Sequence, residues 1–341
     1  MGDTVLTVVL GICAPERAAV TRLLSARYPT VSLAQDDEDL PAAATAAVLQ
    51  VDTPRLVLEC PSGTLAHDVL ALGHVHGGPL PPDTTLGAIV TVVDAVHLLE
   101  DLNDSGELPA GWDGIPTERP RGVIAVDQIE HASTVLVVNT ASCAPDRVGT
   151  VLALLSHLNP RARLTLLNED NLWGAGIVAG VGAGGLQSPG WLDLLNDEHD
   201  PFIIGHGISA LRYQNLRPFH PGRLHDLMNG GLEHEYGRLI RSAGLCRFAT
   251  RPGVTARWDH VGPAITFELI GRDTSHPSVE PLTVGQELAL IGLNLNVTAL
   301  TEALDRCVLT DGELADGPLV WLTYPDPFPD WHRTAPSRQQ R

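Results

Sequence analysis

The N-terminal half of the chain alternates short apolar runs with helix-patterned segments. Val5–Leu10 is a β-branched apolar run of the kind that forms a parallel strand buried on both faces. The pattern then predicts a turn over Gly11–Arg17 and a helix over Ala18–Leu24, with Ala19, Leu23 and Leu24 facing inward. Further strands are expected at 31–34 (VSLA), Arg55–Glu59, Gly87–Val93 ending at Asp94, Thr134–Asn139 and 163–167. Helices are expected between them at Ala42–Leu49, Asp68–Leu72, Val126–Ala132 and 146–158, and Asn103–Pro120 reads as loop. Strands and helices in strict alternation specify an α/β domain with a doubly wound parallel sheet.

A glycine-rich stretch at 174–190 interrupts this order, and the pattern changes beyond it. Strands are expected at Ile203–Tyr213, Gly244–Ala249, within Thr255–Leu269 (one or two) and at Glu287–Leu293. Helices are expected at 220–228 and Val297–Val308. This is a smaller α+β arrangement. The division predicted is a first domain at 1–175, a linker at 176–204, a second domain at 205–325 and a tail at 326–341.

Composition narrows the function classes. A formal charge of −19 disfavours broad contact with nucleic-acid phosphates or anionic membranes and suits basic protein partners. All 22 basic residues are arginine, so chemistry that needs a lysine amine is excluded. The five cysteines are scattered, without C-x-x-C, which argues against a disulfide framework and reads as small buried hydrophobes. No run of about 18 apolar residues is present, and the N-terminus reads as a first strand, so the expected location is cytoplasmic.

Strand, loop and helix at 5–24 is the setting of the phosphate-cradling pattern G-x-x-x-x-G-K-[ST]. Gly11 matches its first glycine, but Glu16 stands at the second glycine, Arg17 at the lysine and Ala18 at the Mg²⁺-binding hydroxyl. Pro15 also removes one amide donor from the cradle. Glu59 and Asp94 each end a strand at the carboxyl edge of the sheet, where ligands of such folds gather. His74 and His76 form an H-x-H pair able to share a zinc ion, without a cysteine pair to anchor it. Phe328 and Trp331 in the tail either dock on their own domain or anchor a partner.

The strand IVTVVDA (89–95), the glutamine-containing helix and following strand DQIEHASTVLVVN (127–139), then RPFHPGRLHDLM (217–228), LCRFATRPG (245–253) and GQELALIGL (285–293), resemble the CobW-type GTPases and metallochaperones. The resemblance implies a P-loop-NTPase-like domain followed by a CobW C-terminal-type domain. It places the guanine-reading N-K-x-D loop at Asn139-Thr140-Ala141-Ser142, where the lysine and the aspartate are replaced. The family's C-x-C-C metal motif is missing. The segment GELPAG (106–111) and the tail DPFPDWH (326–332) are similar to an actinobacterial branch that recruits a hibernation factor to ribosomes under zinc limitation. A degenerate member of the family is therefore expected, a non-catalytic adaptor without a resident cofactor. Its partner would be a ribosomal protein or hibernation factor. The alternatives are a weak GTP-binding protein or metallochaperone that clamps phosphate with Arg17, and a zinc binder built on the histidine loop.

Overall fold

The computed structural model describes residues 4–34, 39–51, 53–72, 80–81, 83–110, 117–167, 188–230, 235–273 and 285–329. The chain forms two compact units, one running to Gly190 and including Asp200–His206, the other comprising Trp191–His199 and the residues from Gly207 onward.

The first unit is built on six parallel strands: β1 (Thr4–Leu10), β2 (Thr30–Ser32), β3 (Arg55–Glu59), β4 (Thr84–Asp94), β7 (Thr134–Val138) and β8 (Arg163–Leu166). Their order is β2-β3-β1-β4-β7-β8, a P-loop-like doubly wound α/β sheet. Because β1 is an inner strand, both its faces are buried. Leu6, Val8 and Leu10 pack on one side against α2 (Leu40–Gln50) and α3 (Ala66–Leu72). Val9 packs on the other with Val20 and Leu24 of α1 (Ala14–Ser25). Sheet order also fixes the address of the site. The chain leaves β1 for β2 and β3 on one side and returns to β4 on the other, so the carboxyl ends of β1 and β4 form the switch-point crevice.

α1 begins at Ala14, four residues before the expected start. Pro15 lies in its first turn, where a preset φ and a missing N–H favour initiation, so the residue read as a loop breaker starts the helix. The inward face is accordingly Arg17, Val20, Thr21 and Leu24, while Leu23 is 43% exposed. The segment expected to be loop after Asn103 contains a separate hairpin of β5 (Glu107–Ala110) and β6 (Thr117–Pro120), followed directly by α5 (Arg121–Glu130). α6 (Pro145–Leu158) completes the unit's main helices.

The second unit is an antiparallel sheet of order β12-β11-β10-β13-β9, from β9 (Ile208–Asn215), β10 (Arg238–Cys246), β11 (Val254–Val261), β12 (Ala264–Arg272) and β13 (Gln286–Leu293). α8 (Pro221–Asn229) and α9 (Val297–Cys307) cover one face, burying Leu224, Leu300, Ala303, Leu304 and Cys307 against Tyr213, Trp258, Leu288 and Leu290. β9 starts five residues later than expected because Gly205, His206 and Gly207 all have positive φ, which a strand cannot hold. β10 starts six residues earlier than expected. Gly244 lies inside it, where an added Cβ would meet the Glu287 carbonyl oxygen at 2.0 Å. Among the described residues no helix is long and apolar enough to cross a membrane.

Candidate functional site

Around the crevice at the ends of β1 and β4 stand six of the residues singled out from sequence: Gly11, Glu16, Arg17, Ala18, Glu59 and Asp94. Gly11 has φ +152°, and a Cβ there would lie 2.7 Å from the Val92 carbonyl oxygen of β4. The glycine shared with the phosphate pattern is therefore demanded by strand packing alone. After it only Ile12 and Cys13 precede the helix, and the Arg17 amide donates to the Cys13 carbonyl at 3.0 Å as part of the first turn.

Arg17 points inward rather than across the loop. Its Nε donates to Glu59 Oε1 at 3.1 Å, and one terminal nitrogen donates to Ser62 Oγ at 2.8 Å and to the Gly11 carbonyl. The other carboxylate oxygen of Glu59 accepts from Ser32 Oγ at 2.8 Å. The two charged side chains are only 9% and 11% exposed, so this is a buried, hydrogen-bonded ion pair linking α1, β3 and the turn after it. Glu16 is half-buried, and Ala18 supplies no hydroxyl. Asn139 adopts a left-handed conformation (φ 60°) and caps a short turn, Thr140–Ser142. Both Asn139 and Ser142 are exposed, and neither supplies the carboxylate that would read a guanine edge.

Asp94 is 2% exposed; its Oδ1 accepts from the Val96 amide at 3.0 Å and Oδ2 lies 3.8 Å from His97 Nε2. A cavity of about 10 Å³, enough for one small occupant, lies beside it. Cys13, Asp94, Asp101 and Gln128 are among its lining residues. Cys13 Sγ donates to Asp101 Oδ2 at 3.6 Å, and Arg121 Nε donates to Asp101 Oδ1 at 2.8 Å. Burial, aided by the Asp101 charge, pushes the Cys13 thiol up to about 12, so it stays protonated and is no nucleophile. Gln128 is fully buried, and its amide nitrogen donates to the Ser62 and Thr64 carbonyls. The meeting of Cys13 with Asp101 and Gln128 escaped the sequence reading because Cys13 lies 88 residues from Asp101 and further still from Gln128, and no local spacing announces it.

A second polar cluster ties α3 to α5. Asp127 accepts from His67 Nδ1 at 2.7 Å and from the Ala66 amide, and His131 Nδ1 lies 3.5 Å away. The hydrogen bond to Asp127 raises the His67 pKa against the opposing effect of burial. Burial pushes the Asp127 carboxyl up, but the His67 bond and charge hold it below its usual range. A raised histidine contributes stability that is fully present below its unfolded value, about 6.5, and is lost as pH rises through the folded value. His67→Gln is therefore expected to lower the urea midpoint more at about pH 5.5 than at about pH 8.5. An equal loss at both pH values would show that the pair is not charged.

His74 and His76 lie outside the described residues, as does Trp331. Phe328 packs on its own unit, with ring centroids 5.0 Å from Phe248 and 5.1 Å from Phe267. Asp326 holds the tail there through Arg251 Nε at 2.9 Å and through Thr250.

Residues 208–308 match the family model for the cobalamin synthesis protein cobW C-terminal domain. The matched stretch runs from β9 through α9, so the second unit is similar to a CobW C-terminal domain. Over 272 residues the chain is 30% identical to the zinc-regulated GTPase metalloprotein activator 1 of Dictyostelium discoideum, covering 72% of this chain and 56% of that protein. The chain thus spans little more than half the length of that relative. It is 26% identical over 298 residues to a zinc chaperone of Mycobacterium tuberculosis, covering 78% of this chain and 67% of the other. The Zn(II)-bound YjiA GTPase of E. coli aligns over 91% of this chain and all of its own, at 14% identity and a TM-score of 0.37. The sequence similarities are thus to a cobW C-terminal domain over the second unit and, over most of the chain, to relatives named as a zinc-regulated GTPase metalloprotein activator and a zinc chaperone.

Proposed function

We propose that this protein is a zinc-linked CobW-type adaptor that works without nucleotide, its N-terminal unit serving as scaffold and its CobW C-terminal domain serving recognition. The observation that carries this reading is the engagement of Arg17. The residue at the position of the phosphate-clamping lysine is bound by Glu59, Ser62 and the Gly11 carbonyl, and is only 7% exposed. Presenting it to a phosphate would leave Glu59 buried and unpaired. The zinc link rests on the names of the relatives and the adaptor form on the actinobacterial resemblance, with a hibernation factor or ribosomal protein as partner. A charge of −19 favours a basic protein over direct contact with ribosomal RNA. A short helix, α11 (Pro318–Trp321), offers an apolar tip for such a partner, with Leu319 85% and the following Leu322 56% exposed.

The test is co-sedimentation with ribosomes from zinc-starved cells, comparing the full chain with one ending at Pro329. That end point spares Asp326 and Phe328, which pin the tail to its domain. Association of the full chain, weakening from low to physiological salt, is expected. Failure of the full chain to travel with ribosomes or a hibernation factor would overturn the adaptor reading. Equal association of both chains would exclude the segment after Pro329, Trp331 included, as the anchor.

A second reading, delivery of zinc to a client, is favoured by the relatives named as a zinc chaperone and a metalloprotein activator. Transfer of zinc to an apo-acceptor by the purified chain distinguishes it.

A further inference from the structure

We infer that Cys13, Glu16 and Asp94 form a binding site for one divalent cation of the zinc class, built where the phosphate cradle has been lost. One ligand atom from each of the three lies within 4.8 Å of the other two. Ligands around tetrahedral zinc, at about 2.3 Å for sulfur and about 2.0–2.2 Å for oxygen, sit closer together than that. Glu16, half-buried on the first turn of α1, is the least enclosed of the three and the one with room to adjust. Asp94 and Cys13 are held by the strand end and the helix start.

A separate observation points to an occupant. The cavity of about 10 Å³ lined by Cys13, Asp94 and Asp101 is also lined by Gln128. Gln128 is wholly buried, and its amide oxygen has no hydrogen-bond partner among the described residues. Both amide hydrogens are committed to the Ser62 and Thr64 carbonyls, which fixes the side chain with a bare acceptor in a buried place. A cation, or a water bound to it, satisfies that oxygen.

Charge favours the same conclusion. Glu16 and Asp94 converge here without an arginine partner among the described residues, while Arg17 is taken by Glu59 and Asp101 is offset by Arg121. His97 touches Asp94 from the exposed side, at 3.8 Å and with 63% of its ring accessible. The N-terminal dipole of α1 works against a cation, and the carboxylates outweigh it. The chemistry of the donors selects the ion. A sulfur ligand disfavours Mg²⁺ and Ca²⁺, whereas one thiolate with two carboxylates suits Zn²⁺ or Co²⁺, with a fourth position open to water. On binding, the Sγ–H bond breaks, the sulfur pair goes to the metal and the proton leaves to solvent; no redox step is involved. Asp101 then loses its thiol donor and keeps Arg121.

The site stands independently of the adaptor reading, and the experiment separates them. Co²⁺ is titrated into the full-length chain under reducing, anaerobic conditions, and the thiolate-to-metal charge-transfer absorption is followed, with Zn²⁺ as competitor. One Co²⁺ per chain is expected, displaced by Zn²⁺, with the band lost in Cys13→Ser. Glu16→Gln, on a partly exposed position that leaves the fold intact, is expected to weaken binding at least about tenfold. His74→Ala with His76→Ala, and Cys143→Ser, are expected to leave the band unchanged. Absence of the band in the wild-type chain, its survival in Cys13→Ser, or its loss in the histidine double variant overturns the site. None of these results bears on ribosome association, and failure to find ribosomes leaves the metal result standing.

Discussion

Replacing Glu59 by alanine is expected to destabilise the N-terminal unit by about 3–5 kcal/mol, and Arg17→Ala by a similar amount. Each change strands one charge in a place where the pair is about nine-tenths buried. After Glu59→Ala the guanidinium keeps only neutral partners, Ser62 Oγ and the Gly11 carbonyl. After Arg17→Ala the carboxylate keeps only Ser32 Oγ. Removing both charges in Arg17→Met with Glu59→Leu is expected to cost far less than either single change, because the desolvation penalty disappears together with the attraction. Hydrogen exchange at the β1 and β3 amides reports this unit separately from the C-terminal one. Losses below about 1 kcal/mol in the single variants, the range of a surface pair, would mean the pair is solvated. Arg17 would then be free to reach a ligand, a bound phosphate included.

GTP with Mg²⁺ is expected to bind no more tightly than a dissociation constant of about 10 μM, roughly −7 kcal/mol. Five separate requirements fail together. The amides at the loop are drawn into a helix that starts at Ala14, and Pro15 has none to offer. Glu16 places a carboxylate beside the phosphate path, and Ala18 cannot ligate the metal. Arg17 is committed elsewhere, and the exposed turn at Asn139–Ser142 has a hydroxyl where a carboxylate must accept two hydrogen bonds from guanine. Calorimetry on the full chain is the measurement, and a constant at or below about 10 μM would sink the reading of a phosphate site that no longer grips. The variant Glu16→Gly, Arg17→Lys, Ala18→Thr is expected to gain nucleotide affinity without preferring GTP to ATP, since Ser142 is unchanged.

The alternation of apolar strands and helices was enough to specify a doubly wound sheet, because both faces of a parallel strand must be apolar and Val5–Leu10, Arg55–Glu59 and Thr134–Val138 say so locally. The change of grammar after the glycine-rich stretch likewise announced a second unit. Loss of the lysine, the second glycine and the hydroxyl is a statement about residue identity, and it was legible in full at Glu16, Arg17 and Ala18. Boundaries were less so. Pro15 reads equally as a loop residue or a helix starter, and only packing of Arg17, Val20, Thr21 and Leu24 on the sheet chooses the second.

What the tertiary structure alone decided is which charges meet. Arg17 and Glu59 are 42 residues apart, and Cys13 and Asp101 are 88 apart. A buried ion pair and a thiol beside carboxylates arise from strand order, which brings the ends of β1, β3 and β4 to one edge. No spacing in the chain encodes that meeting, because the length of a crossover connection is free to vary while the sheet order stays the same. Cys13 therefore read as one more small apolar residue, and its burial is indeed that of one, at 8% exposure. The sheet's topology converts it into a candidate ligand by setting Asp94 and Asp101 around it. Residue types determined what stands at each position of the phosphate pattern; the three-dimensional order of the strands determined which groups meet there.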